Sequence, residues 1–311
     1  MHVSVVLCTY AEDMYDHFEE AADSVLSQTY EPIELVVIVD GTEAVYDRIV
    51  ADYGTKDNVV IKCNEENVGL LESRNRGADV ASGDVVAFID DDAVADEQWI
   101  EQLVRAYEDE EVIAAGGKMT PLWIAGKPSF LPEEFYWLVG VTHEGFAEGP
   151  GEVRNTFGSN ISFRSEVFDE LGGFDVDIGG RKGEKNLQGG ETELCARMKR
   201  EYGHKVWYDP KAKVAHKIFE YRTDFRWLID RSFWQGYSKR AMKTYVETDS
   251  DEENEFLLRL LSEFIPHRLQ RIVNRRSQEE MLQLMALLVF TFSAGVGYIY
   301  GLRNYPPVLK E

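Results

Sequence analysis

Through residues 1–120, short apolar runs alternate with longer stretches whose apolar residues recur at helical spacing. Val3–Leu7 (VSVVL), Ile33–Val39 (IELVVIV), Val59–Lys62, Val85–Ile89 and Val112–Ala115 are the strand-like runs. Tyr15–Gln28, Glu43–Tyr53, Leu70–Ala81 and Glu97–Tyr107 lie between them and read as helices; in the first, Phe18, Ala21, Ala22, Val25 and Leu26 share one side. This alternation predicts an α/β fold with a mostly parallel sheet. Ligands of such sheets bind at the carboxyl ends of the strands. Polar residues stand at those ends: Thr9 and Tyr10 after the first strand, Asp40 after the second, Asp90, Asp91 and Asp92 after the fourth.

Beyond Lys118 the pattern loosens. Residues 118–155 are rich in proline and aromatics and read as a lid or as a surface for a greasy acceptor. A short strand, Ile161–Phe163, and a short helix from Ser165 follow, then the glycine-rich stretch DVDIGGRKGEKNLQGGETEL and a helix from near Glu191 to Tyr202. Lys205–Tyr208 and Lys213–Ala215 read as short strands, and Thr223–Tyr245 as a helix rich in Trp and Arg. Glu247–Glu255 is an acidic linker. Phe256–Ile272 is amphipathic, with leucines on one face, Arg259, Arg268 and Arg271 on another, and Pro266 interrupting it. Such a segment reads as interfacial. Met281–Leu302 has no charged residue and suits one tilted bilayer span; a buried core helix or a helix lying in the membrane plane are the alternatives. Arg271, Arg275 and Arg276 before it predict that the large N-terminal part stays on the cytoplasmic side of a cell membrane. The N-terminus, MHVSVVLCTY, has no basic region ahead of its apolar run and reads as a first strand rather than a signal peptide. The expected organisation is a catalytic domain over 1–220, a helical extension over 221–276, and a transmembrane segment with a short tail over 277–311.

The net charge is −23, from 56 acidic and 33 basic residues. That excludes general nucleic-acid binding, which needs a basic face. The excess runs along the whole chain, as in a halophile, whose solvated carboxylate surface keeps a protein soluble in strong salt; an acidic mesophilic protein is the alternative. Three cysteines, Cys8, Cys63 and Cys195, are too few and too scattered for a disulfide framework or a zinc cluster. Cys8 and Cys63 fall in strand-like runs and are expected to be buried.

The sharpest chemical signal is AFIDDDAVAD at 87–96. Two carboxylates about 5 Å apart at an effective dielectric near 20 repel by roughly 3 kcal/mol before screening. Either water solvates such a cluster in an Asp-rich turn, or a hard divalent cation, Mg²⁺ or Mn²⁺, joins it to a substrate diphosphate.

The series VSVVLCTY, IELVVIVDG, NVGLLESRNRGADVASGDVVAFIDDD, GSNISFR, GGFD and GGETELCARM resembles glycosyltransferase family 2, with its GT-A, Rossmann-like fold, in the family's order over residues 1–220. The resemblance implies an inverting, metal-dependent transfer of a sugar from a nucleotide diphosphate sugar. Thr9 and Tyr10 match the loop lining the nucleotide pocket, Asp40 the carboxylate that bonds the base, commonly uracil, and Asn67, Gly69 and Arg74 a further nucleotide-binding segment. A guanidinium such as that of Arg74 suits a diphosphate. Asp90-Asp91-Asp92 matches the DxD motif: Asp92 would bind the metal most directly, Asp90 would reach ribose or metal, and Asp91 is the solvent-facing or structural member. Gly189-Gly190-Glu191-Thr192-Glu193 matches a segment usually read G-E-D-T-E. Glu191 takes the place of the catalytic base, and Gly190 departs from the family by losing an acid. Glu193 is expected to cap the helix or pair with a basic residue. His216 is either a further metal ligand or a hydrogen-bonded structural residue. Arg181 and Lys182 are candidates for a donor carboxylate or an acceptor phosphate.

The acidic excess and RTDFRWLIDRSFWQGYSKR resemble haloarchaeal enzymes that extend dolichol phosphate-linked glycans for S-layer N-glycosylation, some of which transfer hexuronic acids. That resemblance implies a membrane, a lipid-linked glycan acceptor and a UDP-linked donor. A processive polysaccharide synthase is a second reading; Arg226-Trp227 fits its QxxRW motif, but position 223 is Thr. A non-catalytic nucleotide-sugar-binding scaffold is a third, kept open by Gly190.

Overall fold

The computed structural model describes residues 1–182, 185–245, 256–275 and 277–306. Its internal contacts divide the chain into two units. The first holds Met1–Leu122, Ala147–Gly180 and Gly189–Lys217; the second holds Trp123–Phe146, Arg181–Gln188 and Ile218–Glu311. The expected junction at 220 lies beside Ile218, and two segments distant in sequence join the C-terminal unit. The acidic stretch Glu247–Glu255 lies outside the described residues, as does Arg276.

In the first unit β1 (Val3–Thr9), β2 (Ile33–Val39), β3 (Val59–Cys63) and β4 (Val85–Asp90) pair in parallel, in the order β3-β2-β1-β4. β1 is buried along its full length, as an unbroken apolar run is in a sheet covered on both faces. The crossovers are α1 (Tyr15–Leu26), α2 (Glu43–Tyr53) and α3 (Leu70–Val80). α1 buries Tyr15, Phe18, Ala21, Ala22 and Val25, one helical stripe. α3 sits close on the sheet because Gly77 has no side chain; a Cβ there would lie 2.4 Å from Val6.

Past β4 the sheet becomes antiparallel. After β5 (Ala93–Ala95), α4 (Trp99–Ala106), β6 (Ala114–Trp123) and β7 (Gly151–Val153) come β8 (Ile161–Arg164), α5 (Ser165–Leu171), the ribbon strands β9 (Gly180–Lys182) and β10 (Lys185–Leu187), α6 (Gly190–Tyr202) and β11 (Val206–Ile218). β8 runs against β4 and β6, and β11 runs against β5 and β7. The mostly parallel sheet of the sequence reading therefore holds for four strands only. Lys205–Tyr208 and Lys213–Ala215 are one strand, β11, which continues through Pro210. β5 and β7, three residues each, are too short to leave a periodic signal. Cys8 and Cys195 are buried, but Cys63 is exposed, because β3 is the edge strand. Phe88 packs 5.4 Å from Phe168 and 5.2 Å from Phe174, within a core that includes Val36, Val86 and Leu194.

The second unit contains a 3₁₀ segment Glu133–Val139, α7 (Phe225–Tyr245), a π turn Leu260–Phe264, α8 (Ile265–Arg275) and α9 (Gln278–Gly301). The π turn stands where Pro266, lacking an N–H, cannot bond the preceding turn. α9 is long and apolar enough to cross a membrane by length and composition. It runs parallel to α7: Ser293 Oγ donates to the Ile229 carbonyl at 2.8 Å, and added Cβ atoms at Gly236 and Gly297 would lie 1.8 and 1.9 Å from the Ala294 and Phe233 carbonyl oxygens.

The cationic face expected on the segment before α9 is used internally. Arg268, 2 % exposed, donates to both oxygens of Glu134 at 2.8 and 2.5 Å, to Glu280 at 3.0 Å and to Gln283 Oε1 at 2.6 Å. Arg259 bonds Glu263 and the Gly145 carbonyl, and Arg271 lies 3.7 Å from Glu280. The exposed side chains there include Leu258, Leu261 and Val273.

His143, in the same unit, packs on Phe146 and Phe256, and its Nδ1 is buried with no hydrogen-bond partner among the described residues. Burial, then the charges of Lys239 and Arg259, push its pKa down to about 4. An unfolded histidine titrates near 6.5, so the unfolded chain takes up this proton first as pH falls. The resulting stability is present above pH 6.5 and is lost as pH drops toward 4. His143→Phe is expected to abolish that loss. Urea melts near pH 7 and pH 4.5 should show the wild type losing roughly 2 kcal/mol more than the variant; equal losses would refute the assignment.

Candidate active site

β4 ends at Asp90 and β5 begins at Ala93, so Asp91 and Asp92 form the turn between a strand parallel to β1 and one antiparallel to β11. The turn directs the three carboxylates to different partners. Asp90 Oδ1 accepts from Arg74 Nη2 at 2.5 Å. Asp91 Oδ2 accepts from Thr9 Oγ at 2.7 Å. Asp92 Oδ2 lies 3.3 Å from Nε2 of His216, the residue opposite Ala93 on β11. Burial raises the Asp91 pKa, the Thr9 hydrogen bond opposes it, and the Asp92 and Asp90 charges raise it further, to about 7. Asp91 is thus half-buried and bonded rather than the solvent-facing member.

Arg74 joins this cluster to α6. It is 2 % exposed, and Nη1 donates to Glu191 Oε1 at 3.2 Å. Its guanidinium lies over the Phe88 and Phe174 rings at 6.0 and 5.7 Å, an aromatic floor that makes burial of the cation tolerable. Burial works against its charge, but the Asp90 and Glu191 carboxylates outweigh it and hold the guanidinium above its ordinary pKa. Arg74 therefore spans the expected nucleotide-side carboxylate and the expected base.

Asp40 serves the neighbouring loop. Oδ1 accepts from Asn64 Nδ2 and the Val68 amide, and Oδ2 from the Gly69 amide, each at 2.9 Å. Gly69, at φ 93°, precedes α3, and Asn67 Nδ2 reaches the Asp40 carbonyl at 3.4 Å. Asp40 thus holds the loop that was expected to carry nucleotide contacts. Thr9 is buried and Tyr10 is exposed. Glu193 pairs with Arg197 at 2.6 and 2.7 Å and takes no part in the cluster. Arg181 and Lys182 stand on β9, and their side chains lie outside the described residues.

Three residues of GSNISFR contribute beyond pattern matching. Ser159 Oγ accepts from the Asp90 amide at 3.0 Å. Asn160 is fixed by Trp99 Nε1 and the Ala212 carbonyl, both at 2.9 Å. Gly158 leaves room for the ion pair; a Cβ there would sit 2.0 Å from Glu191 Oε1 and 2.5 Å from Arg74 Nη1. The signal was a small-polar triplet directly before a strand. Gly158→Ala should displace the end of Glu191 from Arg74. A fall in kcat of about 10–100-fold, with a lowered Tm because a buried ion pair is disturbed, is expected; steady-state kinetics below the melt and a thermal melt read both, and full activity would refute it.

Gly190, where the family pattern carries an acid, faces Leu71. A Cβ there would lie 2.6 Å from Leu71 Cδ1, and one at Gly179 would lie 2.7 Å from the same atom. Leu71 thus lies against both glycines.

A family model for glycosyl transferase family 2 matches residues 4–172. Across 303 residues the chain is 51 % identical to the glucosyl-dolichyl phosphate glucuronosyltransferase of Haloferax volcanii, covering 97 % of this chain and 96 % of that one. The chain belongs to glycosyltransferase family 2. Solved structures show the same GT-A fold. The mannosyltransferase of Pyrobaculum calidifontis with GDP-Man and Mn²⁺ superposes at TM-score 0.58, with 16 % identity and coverage of 96 % of this chain and 87 % of that one. S. aureus TarS with UDP gives 0.54, with 15 % identity and coverage of 98 % and 89 %. The protein is thus a GT-A glycosyltransferase, which sets aside the non-catalytic scaffold reading.

Asp92 and His216 are a donor pair whose chemistry fits a divalent cation. Among the described residues no three His, Cys, Asp or Glu side chains converge on one point. Asp92 and His216 offer one carboxylate oxygen and one imidazole nitrogen beside a second carboxylate, Asp91, whose pKa burial pushes up to about 7. Cations that share their shell with substrate phosphates need only one or two protein ligands. Asp90 Oδ1 is engaged by Arg74.

Proposed function

We propose that this family 2 enzyme transfers a hexuronic acid, from a UDP-linked donor, to a glucosyl-dolichyl phosphate-type acceptor, extending the lipid-linked glycan used for N-glycosylation of a halophile's S-layer. The full-length 51 % identity to a glucosyl-dolichyl phosphate glucuronosyltransferase carries this reading. The carboxylates at the ends of β2 and β4 and Glu191 at the start of α6, which Arg74 joins to Asp90, are consistent with it. The proposed location is the cell membrane, with the catalytic unit on the cytoplasmic side.

Glu191 is the proposed base. It takes the proton from an acceptor hydroxyl as that oxygen attacks the anomeric carbon, while the bond to the diphosphate oxygen breaks and its electron pair leaves with the diphosphate. Attack from the opposite face inverts the anomeric centre. Arg74, buried and bonded to Asp90 and Glu191, orients the base rather than neutralising the diphosphate. Asp92 and His216 would hold Mg²⁺ or Mn²⁺, which when bound supplies the positive charge that stabilises the leaving group. Thr9 fixes Asp91 beside them. Asp40 positions Asn67 and Gly69 at the nucleotide, and Tyr10 is the exposed member of that crevice. Arg181 and Lys182 are proposed for the donor carboxylate or acceptor phosphate.

The test is transfer by the full chain with Mn²⁺, offered UDP-glucuronic acid or UDP-glucose together with glucosyl-dolichyl phosphate. Mass spectrometry should show the acceptor heavier by one hexuronic acid, and chelator should abolish the product. Addition of a neutral hexose alone would overturn the donor assignment, and undiminished transfer in chelator would overturn the metal assignment.

A further inference from the structure

α9 was expected from its sequence to cross the bilayer. The packing of the second unit argues for a different placement. A crossing helix meets lipid, or other apolar helices, around its whole circumference. One side of α9 is instead taken up by its own unit from end to end. Gln283 donates to the Ser129 carbonyl near the start, Phe290 packs 5.6 Å from both Phe135 and Phe225, Ser293 bonds Ile229, and Gly301 abuts Arg240. The ion network of Arg268, Glu134 and Glu280 is tied to its first turn.

α7 runs alongside and cannot share a bilayer crossing. It carries Arg226, Asp230, Arg231, Lys239, Arg240 and Lys243. Asp230 is exposed and directly follows Ile229, whose carbonyl meets Ser293 in the middle of α9. Drawing α9 through hydrocarbon would place that carboxylate at depth, where charged side chains are strongly disfavoured.

The other side of α9 is apolar and open. Met285, Phe292 and Ile299, one heptad apart, are 58 %, 74 % and 67 % exposed, and Leu288 and Val296 lie between them. This stripe runs along a 24-residue helix, about 36 Å at the α-helical rise, and a contiguous exposed apolar face of that length marks an interaction surface. Near its end Tyr300 is exposed with Arg303 over its ring, the residue types that anchor a helix at a lipid–water interface. A second copy is a poor occupant, because each chain carries a net charge of −23.

We propose that α9 lies in the plane of one leaflet, with Met285, Leu288, Phe292, Val296 and Ile299 in the acyl chains, so that the residues before and after it stay on the same side of the membrane. Lipid as the occupant rests on the lipid-linked acceptor proposed above; the in-plane placement rests on the packing of α9 against α7.

Sidedness decides it. Cys63, exposed on the first unit, is a built-in reference thiol, and Cys8 and Cys195 are buried. In sealed membrane vesicles of one orientation from cells making the full chain carrying Arg303→Cys, an impermeant maleimide should label both thiols from the same side, within twofold. Labelling from opposite sides would overturn the proposal. In a second arm, the purified chain should co-sediment with vesicles of phosphatidylcholine, a zwitterionic lipid that does not oppose the chain's net charge of −23. Phe292→Glu with Ile299→Glu should lower the bound fraction at least tenfold with Tm unchanged, since both side chains are exposed. Failure of the wild type to bind vesicles, or a double variant whose only effect is to split a dimer, would also overturn it. Transfer of a different sugar, or of none, would leave every one of these readouts unchanged, so the two proposals fail separately.

Discussion

Glu191→Gln should lower kcat by about 10²–10⁴-fold, the usual contribution of a positioned general base, while UDP binding stays within twofold. The replacement keeps the length of the side chain and an oxygen for Arg74 Nη1, which lies 3.2 Å from Oε1 in the native site. The guanidinium keeps its place between α6 and Asp90, and only the ability to accept a proton is removed. Steady-state kinetics with calorimetric titration of UDP separate the two effects. Turnover within tenfold of wild type would show that another group takes the proton. Glu191→Ala is the less informative variant, because it also strips Arg74 of a partner inside a buried site.

Arg268→Ala is expected to destabilise the second unit by about 3–5 kcal/mol, the cost of breaking a buried ion pair and leaving its partner uncompensated. Arg268 and Glu134 are both almost wholly buried and doubly hydrogen-bonded, and Glu280 and Gln283 complete the donor set. Removing the cation leaves two carboxylates facing a cavity. Replacing the pair together, Arg268→Met with Glu134→Leu, should recover most of the loss, because the cost lies in the unpaired charge rather than in the missing bond. Urea unfolding followed on the second unit's transition reads both variants. A loss below about 1 kcal/mol for Arg268→Ala would mean that water reaches the site.

In the parallel half of the sheet β1, β2 and β4 were legible because they are buried on both faces and so appear as near-continuous apolar runs. The antiparallel half was not. β5 is three residues long, and β11 was hidden by Pro210 and by exposed positions that interrupt its apolar pattern. Strand-end reasoning did bring Thr9, Asp40 and the Asp cluster to adjacent strands, since chain direction alone dictates which ends share an edge. It could not divide the carboxylates among partners. Asp90 to Arg74, Asp91 to Thr9 and Asp92 to His216 follow from the β4–β5 turn and the β5–β11 register, and the last of these joins residues more than 100 positions apart. The basic residues before α9 were misleading for the same reason. Their helical spacing implied a free cationic face, but the acids that absorb them include Glu134 and Glu280, one far upstream and one on the next helix.

Leu71 gives Gly190 a structural neighbour that the motif alone does not show. Its methyl groups lie against both Gly179 and Gly190, so one side chain of α3 ties the glycine-rich stretch before the base segment to the start of α6. A side chain placed at 190 must first move the end of Leu71, and the two positions are therefore a coupled pair, to be substituted together rather than singly.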